Sequence, residues 1–251
     1  MTGNIGELFL ALILVGVSIG ISYYKKINLE KDLLIGTIRS FVQLIAIGYA
    51  LELVFNLNKL WLILLVILIM VIIGGQTAGS RSRGSFKEFS ISTFSIGIGT
   101  FFTLGLLLLL GIITADPKYV IPLAGMTIEN SMNASALALE RIHSEMKNKK
   151  DQIEQALSLG VTSTQAVEGS FKTTVKAAMI PTLNLMKVVG LVQLPGAMTG
   201  MILAGASPLE AVKLQIIVVY MLICAVSIAA VITTRLSQNT YFTKYHQLIV
   251  S

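Results

Sequence analysis

The sequence predicts an all-α, polytopic membrane fold of about seven spanning helices. Three observations carry that expectation. Of the 251 residues, 54% are hydrophobic and only 13% charged, about half the charge of a soluble globular chain. The mean hydropathy is +0.79. Seven long apolar segments can be marked, approximately Ile5–Tyr24, Leu33–Phe55, Leu60–Gly79, Phe89–Ile113, Val120–Leu139, Ala177–Ala204 and Leu209–Leu236. Each meets the about 20 residues that a helix needs to cross about 30 Å of hydrocarbon.

The first segment reads as a retained helix rather than a cleavable leader. A leader carries positive charge before its apolar run; here Lys25 and Lys26 follow it. The connections then set the orientation. With the N-terminus outside, the inner side collects Lys25, Lys26, Lys31, Arg39, Arg81, Arg83, Lys87, Arg141, Lys147, Lys149, Lys150, Lys172, Lys176, Arg235 and Lys244, which is 15 of the 19 basic residues. Lys59, Lys118 and Lys213 fall outside, and Lys187 falls within a span. Basic residues accumulate on cytoplasmic loops, so the C-terminus is expected in the cytoplasm. The same loops, facing anionic lipid, account for the net charge of +6 without nucleic acid. The lone Cys224 rules out a disulfide or a cysteine metal cluster within one chain.

Within the spans, Gly16 and Gly20, and Gly75 and Gly79, stand four apart, a spacing that lets helices approach closely in lipid. No internal repeat is visible. The fifth span carries Met126, Glu129, Asn130 and Asn133 on one helical face. Glu129 lies about 14 Å deep from the outer end, at about 1.5 Å per residue. An ionisable group there costs at least about 2.5–3.5 kcal/mol, so it is expected to face the protein interior. The sixth span carries Asn184 and Lys187, with Lys187 about 15 Å from the inner end. The two charges reach similar depth, either as a functional pair or substrate site, or as a static pair that sets helix register. Glu129, Asn130, Asn133 and Met126 offer the oxygen and thioether donors of a transient metal site, with no His or second carboxylate beside them. Most of the ten methionines read as apolar filling. Pro181, Pro195 and Gly196 interrupt the sixth span and predict a hinge or a passive kink, with a break near Pro195. Glu52 is placed to snorkel, and His143 and His246 receive no ligand role.

Residues 141–176 form a polar insertion in a single permease domain over 1–251. Ile153, Ala156, Leu157 and Leu159 make a short apolar face, Gly160 ends it, and Thr164 is placed to cap the next helix. The insertion reads as a solvated hairpin or as a docking knob. At this point the chain resembles the membrane subunits of ABC transporters: Glu154-x-Ala156-x-x-x-Gly160 is similar to their coupling-helix signature, with Gln155 for its first alanine, although Ile180-Pro181 comes later than the importer pattern has it.

A wider resemblance covers almost the whole chain. Pro122-Leu-Ala-Gly-Met126, Asn130-Ser-Met-Asn-Ala134, Leu157-Ser-Leu-Gly160, Ala177-Ala-Met-Ile-Pro-Thr182, Lys187-Val-Val-Gly-Leu-Val192, Leu194-Pro-Gly-Ala-Met-Thr-Gly200, Ile202-Leu-Ala-Gly205, Gln215-Ile and His246-Gln-Leu resemble the FetB (YbbM) family of iron-export ABC permeases. Plant relatives are linked to aluminium tolerance and to UDP-glucose. The resemblance implies a transport subunit and not an enzyme. It would be multi-pass in the cell membrane and pair as a homodimer with two separate ATPase subunits (FetA-like). It further implies that Glu154, Ala156, Leu157 and Gly160 contact the ATPase. This chain has no G-x-x-x-x-G-K-[ST] loop, so ATP and magnesium are expected on the partner. The remaining alternatives are a proton-coupled metal carrier, a nucleotide-sugar ABC permease and a membrane scaffold.

Overall fold

The structure is a computed structural model and describes residues 5–57, 59–81, 85–243, 245 and 247–249. Arg83, Lys244 and His246, the first residue of the His246-Gln-Leu motif, lie outside the described residues. The chain packs as two units, 1–58 and 59–251. Among the described residues all regular structure is helical, apart from two isolated bridges.

The first unit is a helical pair, α1 (Ile5–Lys25) and α2 (Glu30–Leu57). Ser22 joins them: its hydroxyl donates to Glu30 Oε1 at 2.7 Å and accepts from the Leu29 amide at 3.1 Å. Apolar side chains such as Leu14, Ile35 and Leu44 project outward along both helices, a pattern suited to lipid rather than water.

The second unit contains α3 (Leu60–Ser80), α4 (Phe86–Leu109), α5 (Pro117–Asn148), α6 (Lys150–Ser158), α7 (Ser163–Ala166), α8 (Glu168–Val188), α9 (Gly196–Leu203) and α10 (Pro208–Asn239). Its helix starts are written in the sequence. Asp116 and Ser207 cap α5 and α10, each followed by proline in the first turn, and Ser85 caps α4 in a reciprocal box with Glu88. α10 packs against α4, α5 and α8. Where α4, α5 and α10 meet, the core is small and hydroxylic: Ser92, Ser95, Thr127, Ser131, Ser135, Thr233 and Thr234 are all buried, and Thr233 donates to Ser135 at 3.1 Å across α10 and α5. Small hydroxyl residues let backbones close in without lipid-facing polarity.

Four helices, α2, α3, α4 and α10, are long and apolar enough to cross a membrane, and Leu10–Lys25 is a shorter apolar stretch. α5 falls short because of its polar face, and the predicted sixth span because it is broken. α8 stops at Val188, Gly190 turns the chain with φ +80, and α9 begins at Gly196 with Pro195 as its N-cap. Gly190, Leu191, Val192 and Gln193 keep the break hydrogen-bonded through Gln193 and Val188 carbonyls. Pro195 and Gly196 thus sit at the break, as the sequence predicts. Pro181 lies inside α8, which continues through it.

Candidate functional site

Two features stand out for function: a polar knob at the end of the bundle where α5 and α10 finish and α8 begins, and a polar face along α5 and α8.

The knob is built on a small apolar cluster of Ile142, Met146, Ile153, Val167 and Tyr241, with Leu157, Ala166, Phe242 and Leu248 packed against it. α6 is amphipathic, so Ile153 is buried, Ala156 and Leu157 are half-buried, and Glu154 and Gly160 are exposed. Gly160 has φ +85, a conformation that suits glycine and stops the helix. The next helix starts earlier than expected. Thr162, not Thr164, is the cap, and Gln165 completes a reciprocal box with it, because the glutamine stands three residues after Thr162. The four predicted coupling residues therefore share one short helix and its turn, Glu154 and Gly160 exposed, Ala156 half-buried and Leu157 packed on the cluster. Leu159, between them, is 85% exposed.

Glu145 braces the junction of α5 and α6. Its carboxylate, only 6% exposed, meets Arg141 at 2.8 Å and Lys149 at 2.7 Å. Burial pushes its pKa up, but the Lys149 hydrogen bond and charge, the Arg141 charge and a hydrogen bond with Ser170 on α8 outweigh this and hold it below the usual value. A carboxylate with a depressed folded pKa stabilises above its unfolded pKa and loses that contribution as pH falls through the folded value. Hydrogen exchange of residues 141–170 should therefore stay slow at neutral and mildly acidic pH. It should accelerate only below the ordinary glutamate range, and Glu145→Gln should abolish that dependence.

The second feature lies along α5 and α8, which run antiparallel. Ala138 on α5 packs with Ala178 on α8. Glu129 stands nine residues before Ala138 and Lys187 nine residues after Ala178, so both charges sit at one level, about 14 Å along from that contact. The sequence places the two charges at similar depth, and the Ala138–Ala178 contact is compatible with that. They do not meet: among the described residues no ion pair joins them, and both side chains are exposed in the single chain. Met126, Asn130 and Asn133 are half-buried and line the same stretch, and Asn130 donates to the Met126 carbonyl at 2.8 Å. Asn184 and Pro181 are exposed beside Lys187. Within the unit 59–251, Glu129 does not face inward as expected. Its helix turns its alanine and serine side toward α3, α4 and α10, and leaves the amide and carboxylate side uncovered. Among the described residues no three His, Cys, Asp or Glu side chains cluster as a metal cage.

Two further features escaped the sequence reading. Gln215, almost buried, lines a cavity of about 350 Å³ under the break, together with Met186, Met198 and Tyr220. Its only signal is a glutamine in the second turn of an apolar helix. The other is the chain after α10, which packs back on the knob. Its signal is the aromatic pair Tyr241-Phe242.

Comparison with known proteins gives consistent matches over nearly the full chain. The family model described as "Uncharacterised protein family (UPF0014)" matches residues 5–242. The chain is 39% identical over 245 residues to "Probable iron export permease protein FetB" of Escherichia coli (strain K12), covering 98% of this chain and 95% of that one. It is 40% identical over 242 residues to "UPF0014 membrane protein YjkA" of Bacillus subtilis (strain 168), covering 96% and 97%. It is 38% identical over 238 residues to "Protein ALUMINUM SENSITIVE 3" of Arabidopsis thaliana, covering 95% and 87%. No solved structure matches.

Proposed function

The chain belongs to the uncharacterised protein family UPF0014, a family of membrane proteins, and on that premise we propose that it is the membrane-spanning permease subunit of an ATP-driven exporter of iron or a related metal. The observation that carries the reading is the exposed α6 turn with Glu154 and Gly160. It belongs to a knob that an apolar cluster joins to the ends of α5 and α10 and the start of α8. A force applied there would reach α5 and α8, which carry the polar face, and α10 behind them. The permease itself carries out no chemistry; ATP and magnesium bind a partner ABC ATPase subunit.

The polar face supports a homodimer. A carboxylate and an ammonium at membrane depth cannot remain against lipid without cost, and a second copy placed on α5 and α8 would cover both. Glu129, Asn130, Asn133 and Met126 would then border a path between two permeases, with Asn184 and Lys187 opposite. Oxygen donors with one thioether suit a divalent cation of borderline hardness, held weakly enough to leave. Seven crossings, with the N-terminus outside and the knob in the cytoplasm of the cell membrane, follow from the basic-residue bias. In this arrangement α8 and α9 together make the sixth crossing around the break at Val189–Pro195.

One observation favours a second reading. Glu129 and Lys187 share one level, as a proton-coupled carrier would need. The deciding experiment is iron(II) uptake into inside-out vesicles with and without the co-expressed ATPase subunit. Uptake that requires both ATP and the partner is expected. Uphill uptake by the permease alone would overturn the exporter reading in favour of the carrier.

A further inference from the structure

The last long helix does not end the folded part of the chain. Beyond Asn239 the chain turns back on itself: the Thr243 amide donates to the Gln247 carbonyl at 2.9 Å, and the Ile249 amide donates to the Tyr241 carbonyl at 2.7 Å. The Thr243 hydroxyl accepts from the Tyr245 and Gln247 amides, and Phe242 bridges Leu248. Tyr241 is the root of this turn. It is 4% exposed, stacks on His143, and its hydroxyl lies 3.2 Å from His143 Nδ1. Leu248 rests on the same apolar cluster that seats Ile153 and Leu157. Between the turn and the α6–α7 hairpin lies an open cleft of about 640 Å³, with Glu154, Leu157, Gly160 and Thr162 on one wall and Tyr245 and Gln247 on the other.

We infer that this C-terminal turn is the second half of the motor-docking surface, and that the cleft receives a segment of the ATPase subunit. The inference rests on the exporter reading above. Three observations carry it. The cleft is continuous with the Glu154–Gly160 turn, so a partner seated on one wall meets the other. Apolar groups stand exposed at it: Tyr245, on its wall, and Leu159, in the adjoining α6 turn, are each 85% exposed, and exposed apolar groups rimmed by polar ones mark protein contacts. Among the described residues Glu154 meets Lys150 alone, at 4.0 Å with both side chains half exposed, a pair of little strength. The fitting segment is a short apolar one carrying a Lys or Arg that meets Glu154. Because the turn hangs from α10, the motor would act on α10 directly as well as through α5 and α8.

The test uses the full chain co-expressed with its ATPase subunit. Tyr245→Asp changes an exposed side chain and should leave the thermal midpoint of the permease unchanged. It should lower ATPase capture at least about tenfold, as should Glu154→Lys, the size of loss expected for a central contact residue. A second reading needs no loss of binding. In a Cys224→Ser background, Tyr245→Cys should react with a water-soluble maleimide in the free permease and be protected in the complex. Wild-type capture by Tyr245→Asp alongside loss by Glu154→Lys, or full labelling of Cys at 245 within a formed complex, overturns the inference and leaves the exporter reading standing. If the wild-type chain captures no ATPase, the exporter reading itself has failed.

Discussion

Glu129→Gln is expected to reduce metal efflux at least about tenfold while the protein inserts and assembles normally, the pattern of an interaction lost from transport rather than from folding. Glutamine keeps the volume and one carbonyl oxygen of the side chain, but replaces the other oxygen with an NH2 donor and removes the charge. At membrane depth that charge costs at least about 2.5–3.5 kcal/mol, so the substitution should ease insertion. A drop in transport with undiminished yield would therefore isolate a role in handling the cation. Two companions separate the roles open to Glu129. If Glu129 of one copy only balances Lys187 of the other, Lys187→Met should destabilise the dimer, and combining it with Glu129→Gln should restore both assembly and efflux. If Glu129 meets the cargo, the double variant stays inactive. Efflux at the wild-type rate by Glu129→Gln, measured in vesicles with the ATPase present, would remove Glu129 from the pathway.

The parts of the fold legible in the sequence are those where one local property decides. α2, α3, α4 and α10 are apolar enough for length alone to reveal them. The break before α9 is legible because proline and glycine stand together at Pro195-Gly196, although the turn itself begins earlier, at Val189, and is made by Gly190 with its positive φ. For Glu129 and Lys187 only the distance along each helix was readable, since rise per residue fixes it. Whether they touch was not, because contact depends on how α5 and α8 are rotated about their axes, and packing with α4 and α10 sets that. The hairpin turn was legible from Gly160. Its cap was placed two residues late because Thr162 and Thr164 both have capping side chains, and only the partner Gln165 distinguishes them. The C-terminal turn was missed because no periodicity marks it; it is held by one buried tyrosine and contacts far away in sequence.

Glycine spacing shows the same division, and it supplies the largest expected effect on folding. Gly16–Gly20 and Gly75–Gly79 look alike in sequence, yet a side chain at Gly16 or Gly20 meets nothing within 4 Å. A Cβ at Gly79 would lie 2.8 Å from the Phe89 nitrogen and 3.0 Å from its Cα, and one at Gly75 would strike Thr93. α3 and α4 are thus in backbone contact. At Gly79 no rotamer change offers relief, because the obstacle is main chain. α4 cannot easily retreat there either, since Phe89 follows directly on the Ser85–Glu88 cap that fixes the start of the helix. Gly79→Val is accordingly expected to prise α3 from α4 and cost about 1–3 kcal/mol, the range for overpacked interiors. It should lower the thermal midpoint in detergent and the yield of monodisperse protein. Gly16→Ala should leave both unchanged, since it adds a methyl group to open space. An unshifted midpoint for Gly79→Val would mean that α3 and α4 do not approach as closely as this geometry requires.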